Sequence, residues 1–368
     1  MKGHSGLLLL LPTFAVALLA AQQTTDAPNL ATRKGPTLPA PNSMTAYDPF
    51  FSEGRGRWER EYLVYVDPRS PRVELYDKDK DKDKDKDQAS VKVAIPGYSD
   101  LSLTDATVTP DGHLVVSGCS RADDGGKIHC FMGLASRDGH VSQLIDTERF
   151  APMQISTCDG ATVWAMGWLR APPYFDRESD EPYDVLRLYR LKDGKIVESA
   201  LPRSSFPARS HPARSGSGDP ELTMQCRGTT LGIYEGASDE WIEYDTSNSK
   251  LTRWKLLPLS HHLFARYDSS GNILPLPVHA TFITGLAMLD SGDVYASFVY
   301  EARDGSAKST AGLFRLQKTS EQATWLPIDG TLGTYERGNF DELCGTDGKN
   351  LVYSRFEEHH WFFSWPPH

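Results

Sequence analysis

The chain has 368 residues, a formal net charge of −10 at pH 7 and 24% charged residues. This acidic balance argues against nucleic acid as a partner, because phosphate binding needs a concentrated basic face. The length allows two average domains or one long all-β domain.

The N-terminus has the features of a secretory signal peptide. Lys2 is followed by an apolar stretch over residues 7–20, and small residues then lead into a polar segment. Because about 20 apolar residues are needed to span a bilayer, we expect a cleaved signal over residues 1–21. No later segment is apolar enough to span a membrane, so the sequence predicts a secreted or periplasmic protein with no stable membrane insertion.

The next stretch, residues 22–57, is rich in Pro, Thr, Ala and Asn. Such a composition predicts a flexible N-terminal segment. It precedes a single folded domain over residues 58–368. Within that domain, residues 77–87 alternate Asp and Lys. They lack the glycine and the terminal glutamate of a calcium-binding loop, so we interpret them as a solvated loop between two strands.

A glycine turn recurs along the domain, each time between two short apolar runs. Turn residues flanked by strand-like stretches indicate β-hairpins. The turn glycines are Gly112, Gly160, Gly228, Gly292 and Gly348. Their spacings are 48, 68, 64 and 56 residues.

Each turn belongs to a repeated unit of four strands in one up-and-down meander. In the clearest unit the predicted strands are residues 103–108, 113–118, 130–135 and 141–145. Four-stranded propeller blades usually take about 40–50 residues, so the sequence predicts an all-β protein, a β-propeller of four-stranded antiparallel blades. Full and partial units together favour six blades. Five are possible, and a hairpin hidden in residues 258–277 would make seven.

These strands and turns resemble the secreted six-bladed β-propeller superfamily, which includes the NHL-repeat and gluconolactonase-like proteins. The resemblance covers about residues 58–366 and rests on strand order and turns. No Trp-Asp signature ends the strands, which disfavours a WD40 propeller. Because no signature of a particular enzyme family is present, the resemblance implies a fold and assigns no catalytic residue.

Five cysteines in an exported chain raise the question of disulfides. Cys119 and Cys130 flank a polar loop between two strand-like runs, so we predict a disulfide that staples this hairpin. Cys158, Cys226 and Cys344 lie close before their turn glycines. Equivalent positions in repeats are usually core positions, and we expect these three to be buried thiols.

An acidic ring at the channel mouth is the candidate metal site. Asp105, Glu221 and Asp341 each stand seven residues before a turn glycine, and Met153 and Gly285 occupy the same position in the other two units. Converging carboxylates raise each other's pKa or bind a cation. We expect Ca²⁺ or another divalent metal here, with Glu342 and His279 as further ligands. The alternative is that the acids cap strands, pair with basic residues or face solvent.

Two long inserts, residues 169–184 and 203–220, interrupt the repeat. Long loops in compact domains are often functional. Trp168, Tyr174 and Phe175 lie at the first insert and would offer a stacking surface to a sugar or peptide. Packing within the loop is the competing interpretation.

The sequence shows no catalytic motif: it lacks Gly-x-Ser-x-Gly, a phosphate-binding glycine loop and Cys-x-x-Cys. We therefore expect an exported, non-catalytic module that binds a protein, peptide or glycan through its channel mouth and long loops. The alternative is a metal-assisted lactonase, lyase or hydrolase at the acidic mouth.

Overall fold

A computed structural model describes most of the folded domain. The described residues are 55–59, 62–67, 71–77, 88–122, 128–136, 138–172, 178–206, 222–236, 240–256, 279–302, 310–320, 322–334, 341–355 and 360–364. They form 23 strands and one 3₁₀ turn, Arg203–Ser205. No helix among them is long and apolar enough to cross a bilayer.

The strands group into consecutive antiparallel meanders. The first contains β1 (Arg55–Glu59), β2 (Tyr62–Asp67), β3 (Arg72–Asp77) and β4 (Gln88–Lys92). The second contains β5 (Tyr98–Val108), β6 (Leu114–Ala122), β7 (Ile128–Ala135) and β8 (Val141–Glu148). The third contains β9 (Phe150–Ser156), β10 (Thr162–Leu169), β11 (Asp184–Arg190) and β12 (Ile196–Pro202).

The remaining strands repeat this order. The fourth meander contains β13 (Leu222–Arg227), β14 (Thr230–Glu235), β15 (Glu240–Asp245) and β16 (Lys250–Leu256). The fifth contains β17 (His279–Met288), β18 (Val294–Ala302), β19 (Thr310–Lys318) and β20 (Gln322–Thr334). The sixth contains β21 (Asp341–Thr346), β22 (Leu351–Arg355) and β23 (His360–Ser364).

The first strands of the meanders contact one another in cyclic order, which closes a ring. β5 contacts β9, β9 contacts β13, β13 contacts β17 and β17 contacts β21. β21 then pairs with β1 in parallel, with Trp58 opposite Gly345, and the first meander contacts β5. The protein is therefore an all-β propeller, as predicted. The described residues show six meanders, and the predicted count of six blades stays a prediction because residues 257–278 lie outside them.

The hydrophobic core lies in layers between successive meanders. One layer joins the first and second meanders around Val64 and Phe131, and a second joins the second and third around Phe150. Trp164 lies in the layer between the third and fourth, and Trp241 in the layer between the fourth and fifth. The sheets of the second, third and fourth meanders are thus covered on both sides, which explains the near-continuous apolar runs in strands such as β10 and β14.

The ring has two faces that the strand registers distinguish. The first strands of the second to sixth meanders each end at a glycine turn, and we call this side the turn face. The opposite side, where the first strand begins and the second ends, is the loop face. In the third meander, Phe150 pairs with Leu169 and Asp184 pairs with Pro202, so all four of these strand ends lie on the loop face.

Four of the five turn glycines have a positive φ, between +55° at Gly228 and +99° at Gly348. This left-handed backbone is cheap only for glycine, which explains why the motif recurs. Gly160 is the exception, and its turn is held by Asp159. The Asp159 carboxylate accepts hydrogen bonds from the backbone N–H groups of Ala161 and Thr162, at 2.9 and 2.6 Å.

Side chains of the first strands hydrogen-bond to the backbone of the next first strand. The Gln154 amide accepts from Met224 N at 2.9 Å and donates to Leu222 O. Gln225 does the same one junction later, accepting from Met288 N at 2.7 Å and donating to Leu286 O at 2.5 Å. We call each such side chain a clasp. Each clasp satisfies a backbone N–H group and a backbone C=O group that have no partner in the hydrogen-bonding pattern of the sheet.

The junction between the second and third meanders divides the same task between two residues. Asp105 accepts from Ile155 N at 2.8 Å, and Thr104 donates to Pro152 O at 2.5 Å. Asp105 is 3% exposed. Its role in the fold is therefore that of a clasp.

The structure confirms one cysteine prediction and corrects another. Cys119 and Cys130 stand directly opposite on β6 and β7 and form the predicted disulfide. The expectation of buried thiols at Cys158 and Cys226 is wrong, because these two form a second disulfide with their Cα atoms 5.3 Å apart. Equivalent positions in successive repeats are neighbours across a junction, so matching cysteines can come within bonding reach. The Cys344 side chain lies outside the described part of the structure.

Candidate ligand-binding site

An open cleft of about 510 Å³ lies on the loop face of the third meander. Two stretches line it, residues 179–184 and 202–204. They are the described ends of the two inserts that the sequence identified. Asp184 and Pro202, the paired ends of β11 and β12, fix where the two stretches come together.

An ion pair with a tyrosine holds one wall of the cleft. The Arg203 guanidinium donates to Glu178, with Nε 2.5 Å from Oε1, and the Tyr183 hydroxyl donates to the same carboxylate oxygen. Arg203 N also donates to Tyr183 O at 2.9 Å. Burial, followed by the Glu178 carboxylate, raises the pKa of the Tyr183 hydroxyl above its ordinary value. The phenol therefore stays protonated and remains a hydrogen-bond donor.

A second ion pair holds the neighbouring turn. Arg149 bonds Glu181 with two nearly parallel hydrogen bonds, Nη1–Oε1 at 3.1 Å and Nη2–Oε2 at 2.6 Å. The hydrogen bond from Arg149 holds the pKa of the Glu181 carboxyl below its ordinary value. This two-point geometry restricts the turn more than a single contact would.

Both arginines are thus neutralised by glutamates. Asp180, which is exposed, and Asp184, which is half-buried, also line the cleft, and no described cation forms an ion pair with either of them. The polar groups that face a ligand are therefore mainly acceptors. The cleft suits a ligand that presents hydrogen-bond donors, such as sugar hydroxyls, amines or peptide N–H groups.

Trp168 lies one residue before the end of β10 and is not among the residues that line the cleft. Its ring is half-buried and packs against the cluster of Cys119, Cys130 and Ala151. The Arg170 guanidinium lies 5.1 Å from the ring centroid. The described contacts of Trp168 are therefore packing and cation–π contacts. Tyr174 and Phe175 lie outside the described residues, and their stacking role stays a prediction.

The predicted metal ring is described only in part. Both Asp105 oxygens accept backbone N–H groups, from Ala106 and from Ile155, at 2.9 and 2.8 Å. Glu221 lies outside the described residues, as do the side chains of Asp341, Glu342 and His279. Among the side chains that are described, no three acidic, histidine or cysteine residues gather as metal ligands would. The metal site stays a prediction, which elemental analysis of the purified protein would test.

Sequence reasoning did not identify the residues that build the cleft: Arg149, Glu178, Tyr183 and Arg203. The excess length of the third unit was the available signal, and it indicated the two inserts. The ion pairs themselves join residues 25 and 32 positions apart, and no local pattern predicts such partners.

No protein-family model matches the chain, and no curated protein matches it. Solved structures do match. A member of the DUF4221 family from Bacteroides vulgatus has 9% identity and a TM-score of 0.48, over 89% of this chain and 94% of that one. The β-propeller domain of Cps50 (Swd1) from Myceliophteria thermophila has 9% identity and a TM-score of 0.40, over 88% and 99%.

A third match is an auxiliary nutrient binding protein from Bacteroides ovatus. It has 12% identity and a TM-score of 0.40, over 86% of this chain and 69% of that one. The strand order of this chain by itself establishes its class, the all-β propeller.

Proposed function

We propose that the protein is an exported, non-catalytic binding module, and that it binds a peptide or glycan in the cleft of the third meander. The observation that carries the proposal is the cleft between the two inserts, with its walls held by the Arg203–Glu178 and Arg149–Glu181 pairs. Groups held in place before binding lose little freedom when a ligand arrives, which favours affinity.

Two further observations support this proposal. The two disulfides favour an oxidising compartment, as expected for an exported protein. The acceptor-rich lining also matches the donors that sugars and peptide backbones present. The class of ligand, peptide or glycan, is the finer part of the proposal.

The experiment is to screen the purified protein on glycan and peptide arrays and to measure the strongest ligand by calorimetry. The double variant D180N/D184N keeps the size of both side chains and removes their charge. We expect it to bind about tenfold more weakly, corresponding to about 1.4 kcal/mol. The matched control is D138N, on an exposed turn of the second meander, and its affinity should be unchanged. Equal binding by all three proteins, or no ligand on either array, contradicts the proposal.

A further inference from the structure

The junction between β9 of the third meander and β13 of the fourth is unlike the junctions beside it, and we call it the third junction. It contains the Gln154 clasp and also the Cys158–Cys226 disulfide. Cys226 is 1% exposed, whereas Cys158 is half-buried in a turn whose next two residues are exposed. Cys158 therefore lies in a turn at the surface while also packing against the apolar layer of the junction.

At two other junctions a carboxylate of one turn lies beside the glycine of the next turn. Asp111 of the second meander lies beside Gly160 of the third, and an added Cβ there would be 3.3 Å from its Oδ1. Asp290 of the fifth meander lies beside Gly348 of the sixth and donates its backbone N–H to Gly348 O at 2.8 Å. At Gly228 of the fourth meander, no described atom lies within 4 Å of an added Cβ. Gly292 of the fifth meander likewise has no described atom within 4 Å of an added Cβ. Among the described junctions, only the third carries a disulfide.

The two disulfides enclose very different lengths of chain. Cys158 and Cys226 are 68 residues apart, and the chain between them contains β10, β11, β12 and both stretches that line the cleft. Cys119 and Cys130 are 11 residues apart and join two neighbouring strands of one sheet. A cross-link that closes a long loop restricts the opened chain more than one that closes a short loop.

We propose that the third junction is a redox-sensitive seam, which a dithiol reductant opens while the rest of the ring stays folded. A thiolate of the reductant attacks one sulfur of the bridge and forms a mixed disulfide. The second thiol of the reductant then releases it, so that Cys158 and Cys226 become thiols and the dithiol becomes a disulfide. Two electrons and two protons pass to the protein.

Opening has a specific consequence at the seam. With the bridge gone, the third junction retains the clasp of Gln154 on Met224 N, the shared apolar layer, and hydrogen bonds from the Tyr244 and Ser249 hydroxyls to Glu198. Local opening then costs less free energy, and the backbone N–H of Met224 exchanges with solvent more often. The seam borders the meander that carries the cleft, but this inference does not depend on the proposed ligand.

The test measures amide hydrogen exchange by NMR, with and without dithiothreitol, at three backbone N–H groups that donate to a clasp side chain. Met224 N reports on the third junction, while Ile155 N and Met288 N report on the junctions on either side. We expect reduction to speed exchange at Met224 by about tenfold or more, and at the other two amides by about threefold or less. Circular dichroism recorded on the same samples should show the strand signal retained.

Two variants make the assignment specific. C158S/C226S should show the fast Met224 exchange without any reductant, and C119S/C130S should keep the slow exchange. Because the wild-type reduction needs no variant, the test stands even where a variant fails to fold. The proposal is overturned if the three amides respond together or if Met224 stays protected after mass spectrometry shows both bridges reduced. It is equally overturned if the Cys158–Cys226 bridge survives dithiothreitol that reduces Cys119–Cys130.

Discussion

The buried polar side chains of the first strands explain how this ring holds together without continuous pairing between its sheets. Gln154 and Gln225 each satisfy one N–H and one C=O of the next strand, while Asp105 and Thr104 share that task. A buried backbone group without a partner costs about 1–3 kcal/mol. Each clasp therefore contributes on that scale at the junction where it lies.

Replacing Gln154 with methionine tests this at one residue. Q154M keeps the length and most of the volume of the side chain but leaves Met224 N and Leu222 O without their partner. We expect the free energy of unfolding, measured by urea denaturation, to fall by about 2–4 kcal/mol. The control is Q317M at an exposed position of β19, which should change stability by less than about 0.5 kcal/mol. Similar losses in both variants would show that the clasp is not the cause.

The Arg149–Glu181 pair predicts a pH dependence at the cleft. The pKa of Glu181 is lowered from 4.5 by its hydrogen bond from Arg149, so the pair is complete above pH 4.5 and is lost as the pH falls through the lowered value. In an NMR titration of the Glu181 carboxyl carbon, the wild type should show a pKa below 4.5. In R149Q the pKa should rise towards 4.5, and an unchanged value would contradict the assigned pair.

At the scale of the element, bulges decide which side chains are equivalent between repeats. The register shifts after Leu103 in β5 and after Pro152 in β9, which makes Asp105 and Gln154 the first residues beyond the two bulges. Counting back from the turn glycines instead aligned Asp105 with Met153, because the bulge lies one residue closer to the turn in β9. A bulge has no reliable sequence signal. Spacing from the turn glycines was therefore enough to propose a ring of acids, but it could not show which residues occupy equivalent positions in the repeats.

Gly285, the equivalent residue in β17, follows a bulge as well and faces Leu343 of the next meander. An added Cβ would overlap Leu343 O and lie 2.8 Å from its carbonyl carbon. We expect G285A to lower the free energy of unfolding by about 2–3 kcal/mol or more, because backbone must move to make room.

The matched comparison is G292A in the following turn, where φ is +84° and no described atom lies within 4 Å of an added Cβ. Its cost should come only from the left-handed backbone, about 1–2 kcal/mol. Both values are measured by urea denaturation. If G292A proves more costly than G285A, the close approach of β17 and β21 is not what requires the glycine.

At the scale of the whole molecule, closure of the ring depends on β1, a strand that the sequence analysis did not predict. β1 begins at Arg55, three residues before the predicted start of the domain, and pairs with both β2 and β21. It joins the first and last meanders. Without it, the edge of β21 at Gly345 and Thr346 loses its partner groups, and both terminal meanders keep a neighbour on one side only.

Two truncations test this closure. A chain that begins at residue 62 lacks β1, and a chain that begins at residue 55 retains it. By differential scanning calorimetry we expect the shorter chain to melt at least about 3 °C below the longer one, corresponding to a loss of about 2 kcal/mol. Equal melting temperatures would show that the ring closes without the β1–β21 pairing.

The sequence by itself determined most of the strands, the hairpin turns and the propeller architecture. These features rest on local chemistry: left-handed glycines at the turns, and apolar runs whose lengths match strands. It also predicted the Cys119–Cys130 bridge, whose partners lie in one hairpin. Only the tertiary structure decided the Cys158–Cys226 bridge, the clasp role of Asp105 and the ion pairs of the cleft. Their partners lie on different meanders or across long inserts, and only the folding of each meander and its packing against the next bring them together.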